Sequence, residues 1–210
     1  MSAIIIIGAG GHGAVVADIV GDAIGFVDDS PQRIGTEVLG LPVFGTLAML
    51  REFSHEAIVV AIGDNALRRA ITDRVLAGGE RLVSAIHPFT HVASSAAIGE
   101  GTVIAPGAVV MPRVVVGRGA IVNTKSSIDH DCAIGDFVHI APGATLGGNV
   151  RVGDETLIGT GASVVAGVTI GRRCVIGAGA VVVRDLPDDV VAVGVPARIT
   201  SGRRSETPPG

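Results

Sequence analysis

A six-residue period runs without interruption from Val92 to Val182 and constrains the fold more than any other feature of this sequence. Read in sixes, the first residue of every unit is aliphatic and the fifth is usually small. The sixteen first positions are Val92, Ile98, Ile104, Val110, Val116, Val122, Ile128, Ile134, Ile140, Leu146, Val152, Ile158, Val164, Ile170, Ile176 and Val182. This period predicts a parallel β-helix, in which each unit forms a short strand and a corner. We expect the aliphatic residue to point into the shaft, the small residue to let the chain turn, and three units to complete a coil of roughly 18 residues.

Residues 3–88 follow a different pattern, in which apolar strands alternate with helical segments. Strands are expected at AIIIIG, AIGFVDD, EAIVVAIG and RLVSAIHP, and helices at HGAVVADIVG, TLAMLREF and DNALRRAITDRVLAGG. Such alternation predicts a small α/β domain with a parallel, Rossmann-like sheet. The predicted organisation is a Rossmann-like domain at residues 1–88, a β-helix at 89–200 and a disordered tail at 201–210.

Composition excludes several classes of function. No apolar run reaches the roughly 18 residues that cross a bilayer, so we expect no membrane insertion. The formal net charge is −4 and no run of basic residues is longer than two, Arg203-Arg204 near the end included, which gives nucleic-acid binding little electrostatic support. Cys132 and Cys174 form no disulfide framework, and the start of the chain has no basic region typical of a secretion signal. We therefore expect a cytoplasmic protein.

A glycine-rich turn, GAGGHG at residues 8–13, follows the first strand and opens the first helix. Glycines there permit a tight turn and the close approach of a phosphate to backbone N–H groups. Asp28 and Asp29 end the second strand, where a carboxylate could accept hydrogen bonds from a ribose or a base. Three interpretations stay open: a site for a mononucleotide sugar, a site for NAD, and a turn without a ligand. The domain is too short to include the half that usually holds a nicotinamide.

His130 lies between Asp129 and Asp131 in an otherwise small and aliphatic segment. It is the third residue of its unit and belongs to the outer wall, whereas Cys132 takes the inward position, which argues against Cys132 as a nucleophile. Histidine suits general-base catalysis near neutral pH, and a carboxylate on its second nitrogen would fix the tautomer. The alternative is a surface histidine on a solvated corner.

Four further segments narrow the assignment: IIIIGAGGHGAVVADI, GFVDD, AIGDNALRRAI and the closing VAVGVPARIT. Together with the repeats, they resemble the sialic-acid O-acetyltransferase family of the hexapeptide-repeat acyltransferases. That family includes the bacterial nucleotide-sugar N-acetyltransferases of bacillosamine and perosamine synthesis. The resemblance implies a left-handed β-helix, a homotrimer, acetyl-coenzyme A in the groove between neighbouring subunits, and a nucleotide sugar on the amino-terminal domain.

The resemblance also implies roles for individual residues. His130 would be the catalytic base, and Asp131 stands where the family often has Glu, which leaves open whether this shorter side chain or another acid reaches the ring. His139, through its backbone N–H, and Thr160 and Ala178 would contact acetyl-coenzyme A. The residues expected to contact the nucleotide sugar are Gly10, Gly11, His12, Asp28, Asp29 and Gly63.

The function predicted is therefore acetyl transfer from acetyl-coenzyme A to the amino group of a UDP- or GDP-linked 4-amino-dideoxy sugar. The nearest alternative is an O-acetyltransferase acting on sialic acid or another glycan hydroxyl. A non-catalytic sugar-nucleotide scaffold and an NAD-dependent enzyme are more distant alternatives. A zinc site of His91, His130 and His139 is not expected, because His91 lies more than two coils from His130. The choice between UDP, GDP and CMP stays open.

Overall fold

The computed structural model describes residues 3–202, and its amino-terminal part is a five-stranded sheet with helices on both faces. The strand order is β3-β4-β2-β1-β5, parallel except for the β3–β4 hairpin at one edge. The elements are β1 (Ile4–Ile7), α1 (Gly11–Val20), β2 (Ala23–Val27), β3 (Glu37–Val38), β4 (Leu41–Gly45), a 3-10 helix (Leu47–Glu52), β5 (Ala57–Val60) and α2 (Asn65–Ala77). The predicted cap of α2 is confirmed, since the Asp64 side chain accepts a hydrogen bond from the Leu67 N–H.

The last strand predicted for the amino-terminal sheet belongs instead to the β-helix. Only Ala85–Ile86 of the RLVSAIHP segment forms a strand, β6, and it pairs with Val103–Ile104 of the β-helix. Leu82 contributes a single bridge to Ile58 of the amino-terminal sheet. The ladder of the β-helix therefore starts before the first residue of the six-residue period.

Sixteen two-residue strands follow, and they stack in three parallel sheets. They are β7 (His91–Val92), β8 (Ala97–Ile98), β9 (Val103–Ile104), β10 (Val109–Val110), β11 (Val115–Val116), β12 (Ile121–Val122), β13 (Ser127–Ile128), β14 (Ala133–Ile134), β15 (His139–Ile140), β16 (Thr145–Leu146), β17 (Arg151–Val152), β18 (Leu157–Ile158), β19 (Ser163–Val164), β20 (Thr169–Ile170), β21 (Val175–Ile176) and β22 (Val181–Val182). Val110 pairs with Ile128 and Ile128 with Leu146, so each coil takes 18 residues, as predicted.

We name the three sheets by the order in which the chain meets them after β6. The first sheet contains β7, β10, β13, β16, β19 and β22, and the second contains β8, β11, β14, β17 and β20. The third runs from β6 through β9, β12, β15, β18 and β21 to a closing hairpin of β23 (Val190–Val193) and β24 (Arg198–Gly202). The tail expected at 201–210 thus begins inside β24, and residues 203–210 lie outside the described residues.

The aliphatic first positions fill the shaft, as predicted: all are buried from Ile104 onwards, and Val92 and Ile98 pack against them at the open end. The corners are built differently from our expectation. The small fifth residue, for example Cys132 or Ala144, is buried in the shaft and does not make the turn. The fourth residue makes it: in every unit from Gly101 to Gly179 its φ is left-handed, between 53° and 79°. A small fifth residue instead gives the narrow shaft room to close.

One buried side chain joins the two parts of the chain. Arg68 of α2 is 1% exposed and donates hydrogen bonds to the carbonyl oxygens of Gly119 (2.7 Å) and Phe137 (2.8 Å), both at corners between the second and third sheets. It also donates to the carbonyls of Ile62 and Gly63. Burial lowers the pKa of its guanidinium to about 10, which leaves it charged at neutral pH.

No helix in residues 3–202 is long and apolar enough to span a membrane.

Replacing Arg68 with Met is expected to lower the free energy of unfolding by about 2–4 kcal/mol, because buried carbonyls at the interface lose their donor. The matched control is Arg74→Met, six residues on in the same helix, whose side chain is exposed; such surface substitutions usually change stability by no more than about 0.5 kcal/mol. Urea unfolding followed by circular dichroism measures both. Equal losses in the two variants would contradict the assignment of Arg68 as the joining residue.

Candidate functional site

The six residues expected to contact a nucleotide sugar line one cavity of about 480 Å³ in the amino-terminal domain. They are Gly10, Gly11, His12, Asp28, Asp29 and Gly63. The cavity lies at the carboxyl ends of β1, β2 and β5, where parallel sheets commonly bind ligands. The apolar part of its wall comes from Ile7, Val27, Leu47 and Ile71 among others.

Two glycines allow the backbone to turn tightly beside this cavity. Gly8 has a φ of 103°, a conformation that L side chains rarely adopt. A Cβ at Gly13 would lie 2.1 Å from the Gly8 carbonyl oxygen, so α1 can start against the turn only with glycine there. Gly11, the first residue of α1, has open space where a Cβ would stand. The amino-terminal end of a helix thus borders the cavity, and such ends favour anions.

The two aspartates stabilise the loops around the cavity. Asp28 accepts hydrogen bonds from the N–H groups of Ala9 (2.7 Å) and Ser30 (2.8 Å), and Asp29 accepts one from Leu47 N–H (2.8 Å). Both carboxylates therefore hold loops together, a role that the sequence pattern does not predict. Arg33 is a further residue whose role the sequence pattern does not predict. Its guanidinium donates to the Ala9 carbonyl and lies 3.9 Å from Asp28. Only the fold brings this cation beside Gly10.

His12 and His139 meet where the cavity borders the β-helix. Burial, and next the charge of Arg68, lower the pKa of each imidazole to about 4. His139 Nε2 lies 3.0 Å from Asn123 Nδ2, so the amide donates to the ring. Within residues 3–202, His12 Nε2 is buried with no hydrogen-bond partner. Both rings are therefore neutral at physiological pH, and the unpaired Nε2 of His12 is enclosed by protein and not exposed in the cavity.

The backbone contact expected for His139 conflicts with the ladder. Its N–H donates to the carbonyl of Thr156 (2.9 Å), so that donor is already used. The residue also lies on the third sheet beneath the amino-terminal domain, close to Gly63. Thr160 and Ala178 are exposed, one coil apart, on the corners that lead from the third sheet to the first.

His130 lies on a corner from the first sheet to the second, two residues after the end of β13. Its Nδ1 is 2.7 Å from Asp131 Oδ2, which answers the open question of whether this shorter acid reaches the ring. Arg113 donates two hydrogen bonds to the same carboxylate, from Nε to Oδ1 (2.6 Å) and from Nη2 to Oδ2 (2.8 Å). These contacts, with Arg113 contributing most and His130 next, hold the pKa of Asp131 well below its usual range.

An ionised Asp131 requires the proton of the neutral ring to sit on Nδ1, which leaves Nε2 able to accept a proton. The ring, 48% exposed, lies above Gly148 in the next coil. A Cβ at Gly148 would come within 2.7 Å of the ring's Cε1, so glycine is what makes room for it. The arrangement is an oriented imidazole base on the outer wall of the β-helix.

A single chain does not bring together the cavity, His130 and the pair formed by Thr160 and Ala178. The amino-terminal domain contacts the third sheet and its corners through Arg68, Asn65 and Arg69. His130 lies on the corner that, in a three-sided prism, is opposite the third sheet. Thr160 and Ala178 lie on the remaining kind of corner. The three histidines of the zinc alternative are also dispersed, and no group of three or more possible ligands for a metal ion occurs among residues 3–202.

Comparisons with known proteins agree with both halves of the fold. A family profile described as the PglD N-terminal domain matches residues 3–75, and one described as bacterial transferase hexapeptide (six repeats) matches residues 149–184. The GDP-perosamine N-acetyltransferase of Escherichia coli O157:H7 is 32% identical over 156 residues, which cover 69% of this chain and 70% of that protein.

Two solved structures match over nearly the whole length. The acetyltransferase domain of PglB from Neisseria gonorrhoeae FA1090, in complex with acetyl coenzyme A, has a TM-score of 0.89 and 43% identity, covering 94% of this chain and 98% of that chain. PerB from Caulobacter crescentus, in complex with CoA and GDP-perosamine, has a TM-score of 0.90 and 41% identity, covering 96% and 98%. The fold is a Rossmann-like domain followed by a left-handed β-helix.

Acidification from pH 7 to pH 5 is expected to lower the free energy of unfolding. The unfolded chain takes up protons at His12 and His139 near pH 6.5, whereas the folded chain does so only near pH 4, so the unfolded state binds more protons in between. His139→Gln should therefore show a smaller loss between these pH values than the unsubstituted protein.

The control for that measurement is His91→Gln, since His91 is exposed on the first sheet. Urea unfolding at pH 7 and pH 5 gives the comparison. An unchanged pH dependence in His139→Gln would mean that the buried ring is not held neutral.

Proposed function

Because the chain belongs to the PglD-type family of hexapeptide-repeat nucleotide-sugar N-acetyltransferases, we propose that it transfers an acetyl group from acetyl-coenzyme A to the amino group of a nucleotide-linked amino sugar. The observation that carries the proposal is the Nδ1 contact between His130 and Asp131, which leaves Nε2 as the base. Two relatives of this chain are named GDP-perosamine N-acetyltransferase and UDP-N-acetylbacillosamine N-acetyltransferase. Both names describe the acetylation of an amine.

Acetyl transfer to an amine needs a group that removes a proton as nitrogen attacks the thioester carbon. His130 Nε2 accepts that proton while the C–N bond forms. The C–S bond then breaks, and His130 returns the proton to the leaving sulfur. Asp131 stabilises the positive charge that the ring carries between these two events. No acyl-enzyme is needed, and Cys132, buried in the shaft, takes no part.

The cavity of the amino-terminal domain is the proposed site of the nucleotide sugar. Gly10 and Gly11 would let a phosphate approach the start of α1, with the cation of Arg33 nearby. His12 and Gly63 form the wall next to the β-helix. Asp28 and Asp29 would act mainly by holding these loops in place, since their oxygens bond to backbone N–H groups.

We further propose that the active site forms between subunits of a homotrimer in the cytoplasm. The dispersal of the cavity, His130 and the pair Thr160–Ala178 over three sides of the prism supports this arrangement. A neighbour packed beside the β-helix would bring its corner carrying Thr160 and Ala178 toward His130, and acetyl-coenzyme A would lie in the cleft between them. In a threefold ring each subunit offers two different surfaces, so every cleft is equivalent.

Replacing His130 with Ala is expected to reduce turnover by about 100-fold or more, because the transition state loses its general base. Release of free thiol from acetyl-coenzyme A, in the presence of GDP- and UDP-linked 4-amino sugars, measures the rate. His91→Ala, an exposed histidine of the same β-helix, should leave it unchanged. Near-normal turnover in His130→Ala would rule out the mechanism, and no thiol release by the unsubstituted enzyme with any amino sugar would rule out the function.

Two inactive variants are expected to restore activity when they assemble together. Gly11→Leu fills the cavity of its own subunit, since Gly11 borders it with open space at the Cβ position, while His130→Ala removes the base. If cavity and base come from different subunits, about one cleft in three is intact in the mixed trimers that carry both tags. Co-expression with two different tags, followed by tandem purification and the thiol assay, gives the result. If the mixture stays inactive, both groups serve the same subunit.

A further inference from the structure

Arg113 and Asp131 occupy equivalent corners in successive coils. Each is the fourth residue of its unit, with a left-handed φ of 60° and 61°, and they are 18 residues apart. The guanidinium of Arg113 contacts both carboxylate oxygens, so the plane of the Asp131 carboxylate is fixed and its Oδ2 lies 2.7 Å from the ring nitrogen of His130.

Without Arg113, His130 would be the one side chain among residues 3–202 that still holds the carboxylate. A bidentate arginine adds geometric definition as well as energy, and lysine cannot reproduce its planar fork. The ring of His130 is also 48% exposed in the single chain, so packing alone does not immobilise it. The orientation of the base therefore depends on a contact made one coil away.

Arg113 also sets the charge around the base. Asp129 accepts a hydrogen bond from the His130 N–H (2.7 Å), and Asp131 contacts the ring. The neighbouring coil on the other side contributes Gly148 and Asn149, which are uncharged. Two carboxylates and one guanidinium thus lie around His130, and one of the carboxylates contacts its ring. Removing Arg113 would leave both negative charges uncompensated and favour the protonated ring, in which form the base is inactive.

We infer that Arg113 is a positioning residue for the proposed acetyl transfer: through Asp131 it fixes the tautomer and orientation of His130 and limits protonation of the ring. The inference rests on the proposed function. It assigns Arg113 no contact with either substrate. It accordingly affects the rate of the chemical step and its pH dependence, and leaves substrate binding largely as it is.

The β-helix contains a matched ion pair away from His130. Arg173 also has a left-handed φ, 53°, and donates two hydrogen bonds to Asp189, Nε to Oδ1 (2.7 Å) and Nη2 to Oδ2 (2.6 Å). It lies at a corner between the second and third sheets, near the carboxyl-terminal end of the ladder. Arg173→Gln therefore removes an exposed bidentate pair of the same chemistry without touching the base.

The test compares Arg113→Gln, Arg113→Lys and Arg173→Gln with the unsubstituted enzyme in profiles of kcat and kcat/KM against pH. Arg113→Gln should lower kcat about 10-fold or more through lost orientation, keep both KM values within about twofold, and move the acid limb of the kcat/KM profile to higher pH. Arg113→Lys, which keeps the charge and loses the fork, should restore the position of the limb and only part of kcat. Arg173→Gln should match the unsubstituted enzyme.

Nitrogen NMR of histidine-labelled protein provides a readout that needs no activity, with His130→Ala used to assign the signals. The unsubstituted protein should show His130 protonated at Nδ1, and Arg113→Gln a mixture of tautomers. An unchanged tautomer in Arg113→Gln, or a lower kcat with no movement of the acid limb, would overturn the inference. An inactive unsubstituted enzyme would instead count against the proposed function, and the tautomer would still decide the role of Arg113.

Discussion

The structure depends on a ladder in which residues 18 positions apart lie directly above one another. A slip of one residue would turn the aliphatic first positions outward, so the register is strongly determined. The same register stacks Arg113 on Asp131, His130 on Gly148 and Thr160 on Ala178. The backbone of each rung is hydrogen-bonded to neighbouring coils, which fixes the point from which each side chain projects.

The second constraint is the buried Arg68, a cation that contacts no carboxylate among residues 3–202. Its charge is accommodated by carbonyl oxygens, two of which, those of Gly119 and Phe137, lie at left-handed corners outside the ladder. Because the same guanidinium also binds the carbonyls of Ile62 and Gly63, it ties one wall of the cavity to the β-helix. Its charge further disfavours protonation of His12 and His139. Arg68 therefore connects the interface between the domains directly to the proposed sugar site.

Much of the candidate site could be predicted from the sequence. The glycine turn and the paired aspartates identified the cavity because such a turn between a strand and a helix has few structural solutions. The period placed His130 outside and Cys132 inside. Arg113 was missed although a signal existed, since it precedes Asp131 by one coil length. Arg33 and Arg68 gave no signal, because an arginine in a loop or on a helix surface usually faces solvent. His139 was assigned a free N–H that the ladder uses.

The sequence by itself determined the β-helix, its 18-residue coil and the inward and outward faces, because a hydrophobic period acts locally and repeats. It also supplied the histidine that is proposed as the base and the glycines of the turn. Only the tertiary structure decided which corner carries each turn, which strand β6 joins, and how Arg68 closes the interface. It also placed the cavity and His130 on opposite sides of the prism. These features arise from contacts between segments far apart in the chain, and no local pattern encodes the distance between two such segments.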